Sequence, residues 1–174
     1  MGLTEIEAAK IALFQDMTPR ERQDVLALLE QQEYERGETI LAEGKSIQIL
    51  WFIVRGRCEV VKTMRTGSEQ ELACLEPGTV FGEMSFFNPA PHSASVRAVT
   101  DVEVMRLSRE DYDQLHREGS TAAYKIAVNT ARVLAERLRK MDDWICELVE
   151  RPDGVKHREE WREFRQKLYT DWQF

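Results

Sequence analysis

No stretch of this chain is apolar for long enough to cross a bilayer, and its opening MGLTEIEAAK lacks the basic-then-apolar pattern of a secretory leader. Both absences point to a cytoplasmic protein without a membrane partner. Cysteine is sparse: Cys58, Cys74 and Cys146 are scattered with no CxxC pair, so neither a disulfide framework nor a four-thiolate iron–sulfur centre is expected. All three are read as buried or half-buried strand and helix residues, with redox sensing the lesser alternative. His92, His116 and His157 are equally dispersed and offer no metal-ligand spacing, so no metal is expected. Positive charge is short as well. The 24 Lys and Arg face 31 Asp and Glu, a formal net charge of -7. That balance argues against nucleic acid as a partner, because phosphate affinity rests on clustered cations and the counterions they release. A nucleophile elbow, a Walker loop and a metal set are all missing, so no catalytic residues are assigned and an enzyme is not expected.

What is present is an ordinary globular composition, 43% hydrophobic and 32% charged, in 174 residues. One packed domain with helical appendages fits that length. The spacing predicts N-terminal helices over residues 1–32. Thr4 with Glu7 forms a capping box ahead of Ile6, Ile11, Leu13 and Phe14. Thr18, Pro19 and Glu21 mark a second start, with Val25, Leu28 and Leu29 as its apolar face. Over 33–108 the texture changes to short apolar runs (ETILAEG, ILWFIVRG, RCEVVKTM, ELACLEPG, SASVRAV, VEVMRL), broken at Gly37, Gly44, Gly56, Gly67, Gly78 and Gly82. Short strands with glycine turns and no intervening helices predict an antiparallel roll rather than a βαβ sheet.

Helix resumes over 109–150. Ser108 and Asp111 cap a short piece carrying Tyr112 and Leu115, and Gly119 and Ser120 interrupt it. A long helix then runs to about Val149, with Tyr124, Ala127, Ala131, Leu134, Leu138, Met141, Ile145 and Leu148 alternating at three and four residues. A sustained heptad seam of this kind pairs with a copy of itself or another helix, or else covers the roll. Homodimerisation is the favoured expectation, because Ile126 and Val133 lie off the seam and are free to face the roll. RPDG ends the helix, and the segment 151–174 places Trp161, Phe164, Leu168 and Trp172 on one face, suited to docking on the domain or on a protein effector.

The informative stretch is FGEMSFFNPAPHSASVRAV, residues 81–99. Gly82 permits a tight turn, after which Glu83 to Phe87 can form one helical turn whose amides converge. The Glu83 carboxylate suits sugar hydroxyls, and Ser85, Ser93 and Ser95 add hydroxyl groups close by. Here the chain resembles the cyclic-nucleotide-binding domain family, the domain type of the catabolite activator protein and of protein kinase A regulatory subunits. The resemblance covers residues 13–148, from LFQDMTPRERQDVLALLEQ through FGEMS and SASVRAVTDVEVMRLSREDY into the long helix. It implies an α+β fold, an antiparallel β-roll of double-stranded β-helix, jelly-roll-like type, flanked by N-terminal helices and a long C-terminal helix.

The resemblance also implies a site. Glu83 would take the ribose 2′-hydroxyl, and Gly82, Met84 and Ser85 would line sugar and phosphate. Ser93 and Ala94 follow the phosphate-binding position, and a base contact falls near Met141 and Asp142. The family's phosphate-binding arginine is replaced by His92, which lacks the guanidinium's permanent charge and two-pronged donor geometry. Two readings stay open: a regulatory sensor that binds cAMP, cGMP or a similar anion and couples it to a dimer of long helices with its effector in trans, or a degenerate, ligand-free interaction domain in which His92 is a tolerated surface residue. No cofactor is assigned beyond that ligand. With 24 residues left after the long helix, no helix-turn-helix domain is expected within this chain.

Overall fold

The computed structural model describes residues 11–150 and 161–164. Contacts divide the chain into two compact units, residues 1–130 and 131–174. The first unit is the β-roll. A single 3₁₀ turn, Ala12–Phe14, stands where the sequence suggested helix, and α1 spans Pro19–Leu26. The strands follow as β1 (Glu30–Tyr34), β2 (Thr39–Leu41), β3 (Ile49–Arg55), β4 (Cys58–Thr63), β5 (Glu69–Leu75) and β6 (Val80–Phe81). After α2 (Glu83–Phe87) come β7 (Ser95–Ala98), β8 (Val102–Ser108), α3 (Arg109–Arg117) and α4 (Thr121–Glu150).

Two four-stranded antiparallel sheets result, ordered β1-β8-β3-β6 and β2-β7-β4-β5. The run ILWFIV carries no polar alternation because both faces of β3 are covered. Leu50 and Phe52 point into a core with Leu13, Phe14, Phe86, Leu115 and Ile126, while Trp51 and Ile53 point between the sheets with Phe81, Val96 and Val104. Each fully buried side chain of this size contributes about 1.5–3 kcal/mol. Gly56 turns β3 into β4 at φ +86°, where a Cβ would meet the Asp101 carbonyl oxygen at 2.2 Å.

Several expectations need adjusting. The roll begins with β1 at Glu30, not at residue 33. Its sequence EQQEY is too polar to read as a strand, but it is an edge strand paired with β8, and Glu30 meets Arg106 directly across the ladder. Such charge also discourages pairing with other chains. α1 stops at Leu26, which leaves Leu28 and Leu29 in the connection, still packed on the core. Cys58 is buried and Cys146 half-buried, but Cys74 is exposed on β5, correcting the expectation that all three are covered. The Thr4–Glu7 capping box, the RPDG stop, Leu168 and Trp172 lie outside the described residues; Trp161 and Phe164 do stack, with ring centroids 5.5 Å apart.

The capping box at Thr18 and Glu21 forms as the spacing predicts. Glu21 also accepts from Lys125 at 2.7 Å and from Thr121, and these bonds, the Lys125 bond most of all, hold its carboxyl down at about 2. Lys125 Nζ donates to the Asp16 carbonyl at 2.8 Å, and buried Asn129 donates to the carbonyls of Leu13 and Gln15 at 3.0 and 2.8 Å. Residues 13–21 are thereby clamped to the first turns of α4, with Ile126 buried between them as its off-seam position suggested. Among the described residues no helix is long and apolar enough to cross a membrane.

Candidate functional site

Gly82 caps α2 in the left-handed region, φ +83°, and a Cβ there would lie 2.6 Å from the Trp51 ring. Both constraints demand glycine. The turn that follows buries Glu83, Ser85 and Phe86 and leaves Met84 exposed. Phe86 anchors the turn in the outer core, so Glu83 and Ser85 are held by a residue with no ligand role of its own. The chain then loops from Asn88 to β7. His92 bridges to the β2–β3 turn on both sides of its backbone: its amide donates to the Lys45 carbonyl at 2.8 Å, and its carbonyl accepts from the Gly44 amide at 2.9 Å.

The His92 ring is 5% exposed, which overturns the reading of a tolerated surface residue. Its Nδ1 lies 2.9 Å from Ser85 Oγ. Whichever atom of that pair donates, His92 Nε2 is buried without a hydrogen-bond partner among the described residues, and so is Trp51 Nε1. The two rings meet edge to face at 6.3 Å, and Trp51 stacks on Phe81 at 5.4 Å. Leaving a buried polar atom unpaired costs about 1–3 kcal/mol. Burial pushes the His92 pKa down, which keeps the imidazole neutral at neutral pH.

Glycine turn, Glu83, Ser85 and His92 are thus gathered at one end of the roll. Ser93 is exposed and Ala94 half-buried on the same loop. Ser95 Oγ accepts from the Glu43 amide at 2.9 Å. Met141, exposed, and Asp142, half-buried, belong to the second unit.

Sequence reasoning missed three contributors. Trp51 reads as core, since nothing in an apolar strand marks one indole nitrogen as unpartnered. Glu43 and Lys62 lie 19 residues apart, yet Lys62 Nζ donates to Glu43 Oε1 at 3.0 Å and to the Ser93 carbonyl, while Glu43 Oε2 accepts from the Thr63 amide at 2.9 Å. A lone lysine in RCEVVKTM was the signal available, and it carries no spacing to residue 93.

The architecture defines the class: an α+β protein built on an eight-stranded antiparallel roll with a helical extension. The sequence profile of the cyclic nucleotide-binding domain matches residues 31–119, and the chain belongs to that family. The cyclic AMP receptor protein of Thermus thermophilus is 37% identical over 130 residues, 75% of this chain and 58% of the relative. The crystal structure of the Thermus thermophilus catabolite activator protein superposes with a TM-score of 0.70 at 36% identity, covering 79% of this chain and 62% of that one. A cyclic nucleotide-binding domain from Methylobacillus flagellatus reaches a TM-score of 0.75 at 24% identity, covering 84% and 86%, and shares the fold. The chain spans about three fifths of the length of the curated relatives named first, 58% and 61%.

Proposed function

We propose that this chain is a regulatory module that binds a cyclic nucleotide at the α2 end of the roll and passes the binding on to the long helix. Glu83 takes the ribose hydroxyl, while Gly82, Met84 and Ser85 with Ser93 and Ala94 surround sugar and phosphate. His92 Nε2 is the group nearest the position of the family's arginine. The carrying observation is the buried Glu83–Ser85–His92 set, with Nε2 unpartnered, inside the span matched by the family profile. Relatives described as cyclic AMP receptors favour cAMP over cGMP as the ligand.

Coupling requires the ligand to prefer one arrangement of roll and helix over another. The Gly119–Ser120 break between α3 and α4 is where such a change is absorbed. The exposed seam of α4 serves a second copy of the chain, and the dimer acts on an effector in trans. A second reading has its own support: no Lys or Arg stands between Gly82 and Ser95, and the one histidine there is neutral. That combination suits a ligand-free dimerisation domain.

Calorimetric titration with cAMP and cGMP separates the two. Wild type is expected to bind weakly, and Glu83→Ala to bind more weakly still. His92→Arg adds a charge-assisted hydrogen bond worth about 1.5–3 kcal/mol, roughly ten- to a hundredfold in affinity. If neither wild type nor His92→Arg binds either nucleotide, the ligand-free reading replaces this one.

A further inference from the structure

Between Gly82 and Ser95 the chain supplies no permanent positive charge, although a phosphodiester at this site would carry a negative one. A cation is nevertheless close by, delivered from another element. Lys62, on β4, donates Nζ to the Ser93 carbonyl, so its ammonium stands on the backbone of the loop that carries His92. Its other partner among the described residues is Glu43, and an ammonium has three donors, which leaves one for a ligand on a side chain 41% exposed. Glu43 is held independently by the Thr63 amide, whose bond contributes most to keeping its carboxyl below the usual range. The charge of Lys62 is therefore balanced by a carboxylate fixed beside it.

We propose that Lys62 is the phosphate-binding cation of this site, standing in from β4 for the arginine that His92 displaces, with Glu43 as the counter-charge that the ligand phosphate must compete against. The inference rests on the cyclic-nucleotide reading above. It assigns Lys62 direct contact with a phosphate oxygen through its third N–H, and it makes Glu43 a residue that lowers affinity by holding the Lys62 charge. A purely structural strut predicts the opposite sign at Glu43, because anything that loosens the strut would weaken binding.

The test is cAMP affinity in the full chain for wild type, Lys62→Met, Lys62→Arg and Glu43→Gln, with melting temperature recorded for each. Lys62→Met is expected to lose about ten- to a hundredfold, the worth of one charge-assisted hydrogen bond. Lys62→Arg keeps the charge and is expected to stay within about threefold of wild type. Glu43→Gln retains an oxygen for the Thr63 amide but drops the competing charge, and is expected to tighten binding about two- to fivefold. Wild-type binding that Lys62→Met leaves unchanged, or that Glu43→Gln weakens, overturns the assignment and leaves the cyclic-nucleotide reading standing. Binding by neither wild type nor His92→Arg overturns both.

Discussion

An imidazole bonded through Nδ1 to a serine hydroxyl, with Nε2 buried and without a partner among the described residues, gains nothing from a proton. Desolvation lowers the His92 pKa in the folded state, while the unfolded chain keeps the ordinary value near ~6.5. The unfolded state therefore binds more protons over the interval between the two, and stability falls as pH drops. His92 contributes its full share above the unfolded pKa and loses it as pH descends toward the folded one. Urea midpoints measured from pH 8 to pH 5 should fall more steeply for wild type than for His92→Gln; parallel curves would place the imidazole in water. The position of His92 as a departure from the family pattern was legible in PHSAS. Its burial was not, because that depends on Ser85 and on the backbone of Gly44 and Lys45, which only the roll brings near. Lys62 was hidden for the same reason, being 31 residues from the carbonyl it holds.

Helix α4 shows how periodicity carries further than composition. Its bounds, Thr121–Glu150, agree with the expected run, and along its seam Tyr124 is 70% exposed, Leu138 55% and Met141 46%, while Ala127, Leu134, Ile145 and Leu148 are half-buried. A partly exposed row of apolar side chains at alternating three and four spacing suits a second copy of the same helix. Leu138→Asp would bury an unpaired charge in that pairing. Sedimentation of wild type at micromolar concentration is expected to show dimers, and the variant monomers with the roll still folded; a monomeric wild type contradicts the pairing. Glycine turns were equally legible, since each of the six marked in the roll takes positive φ. β1 was not, because an edge strand needs no apolar face and EQQEY has none. The two-residue β6 is too short to leave a pattern, and its place is fixed by pairing with Trp51 and Phe52.

At the scale of the molecule, the roll and its clamp make up the first unit, and most of α4 belongs to the second. Glu21, Lys125 and Asn129 tie the N-terminal segment to the opening turns of α4. Coupling exists only if the ligand binds one arrangement better than the other. Hydrogen–deuterium exchange of the full chain, with and without saturating cAMP, reads the site and its output together. Cyclic-nucleotide binding at the α2 end of the roll predicts slowed exchange across residues 82–95 and altered exchange within 121–150. Identical uptake in both segments at millimolar cAMP would contradict it.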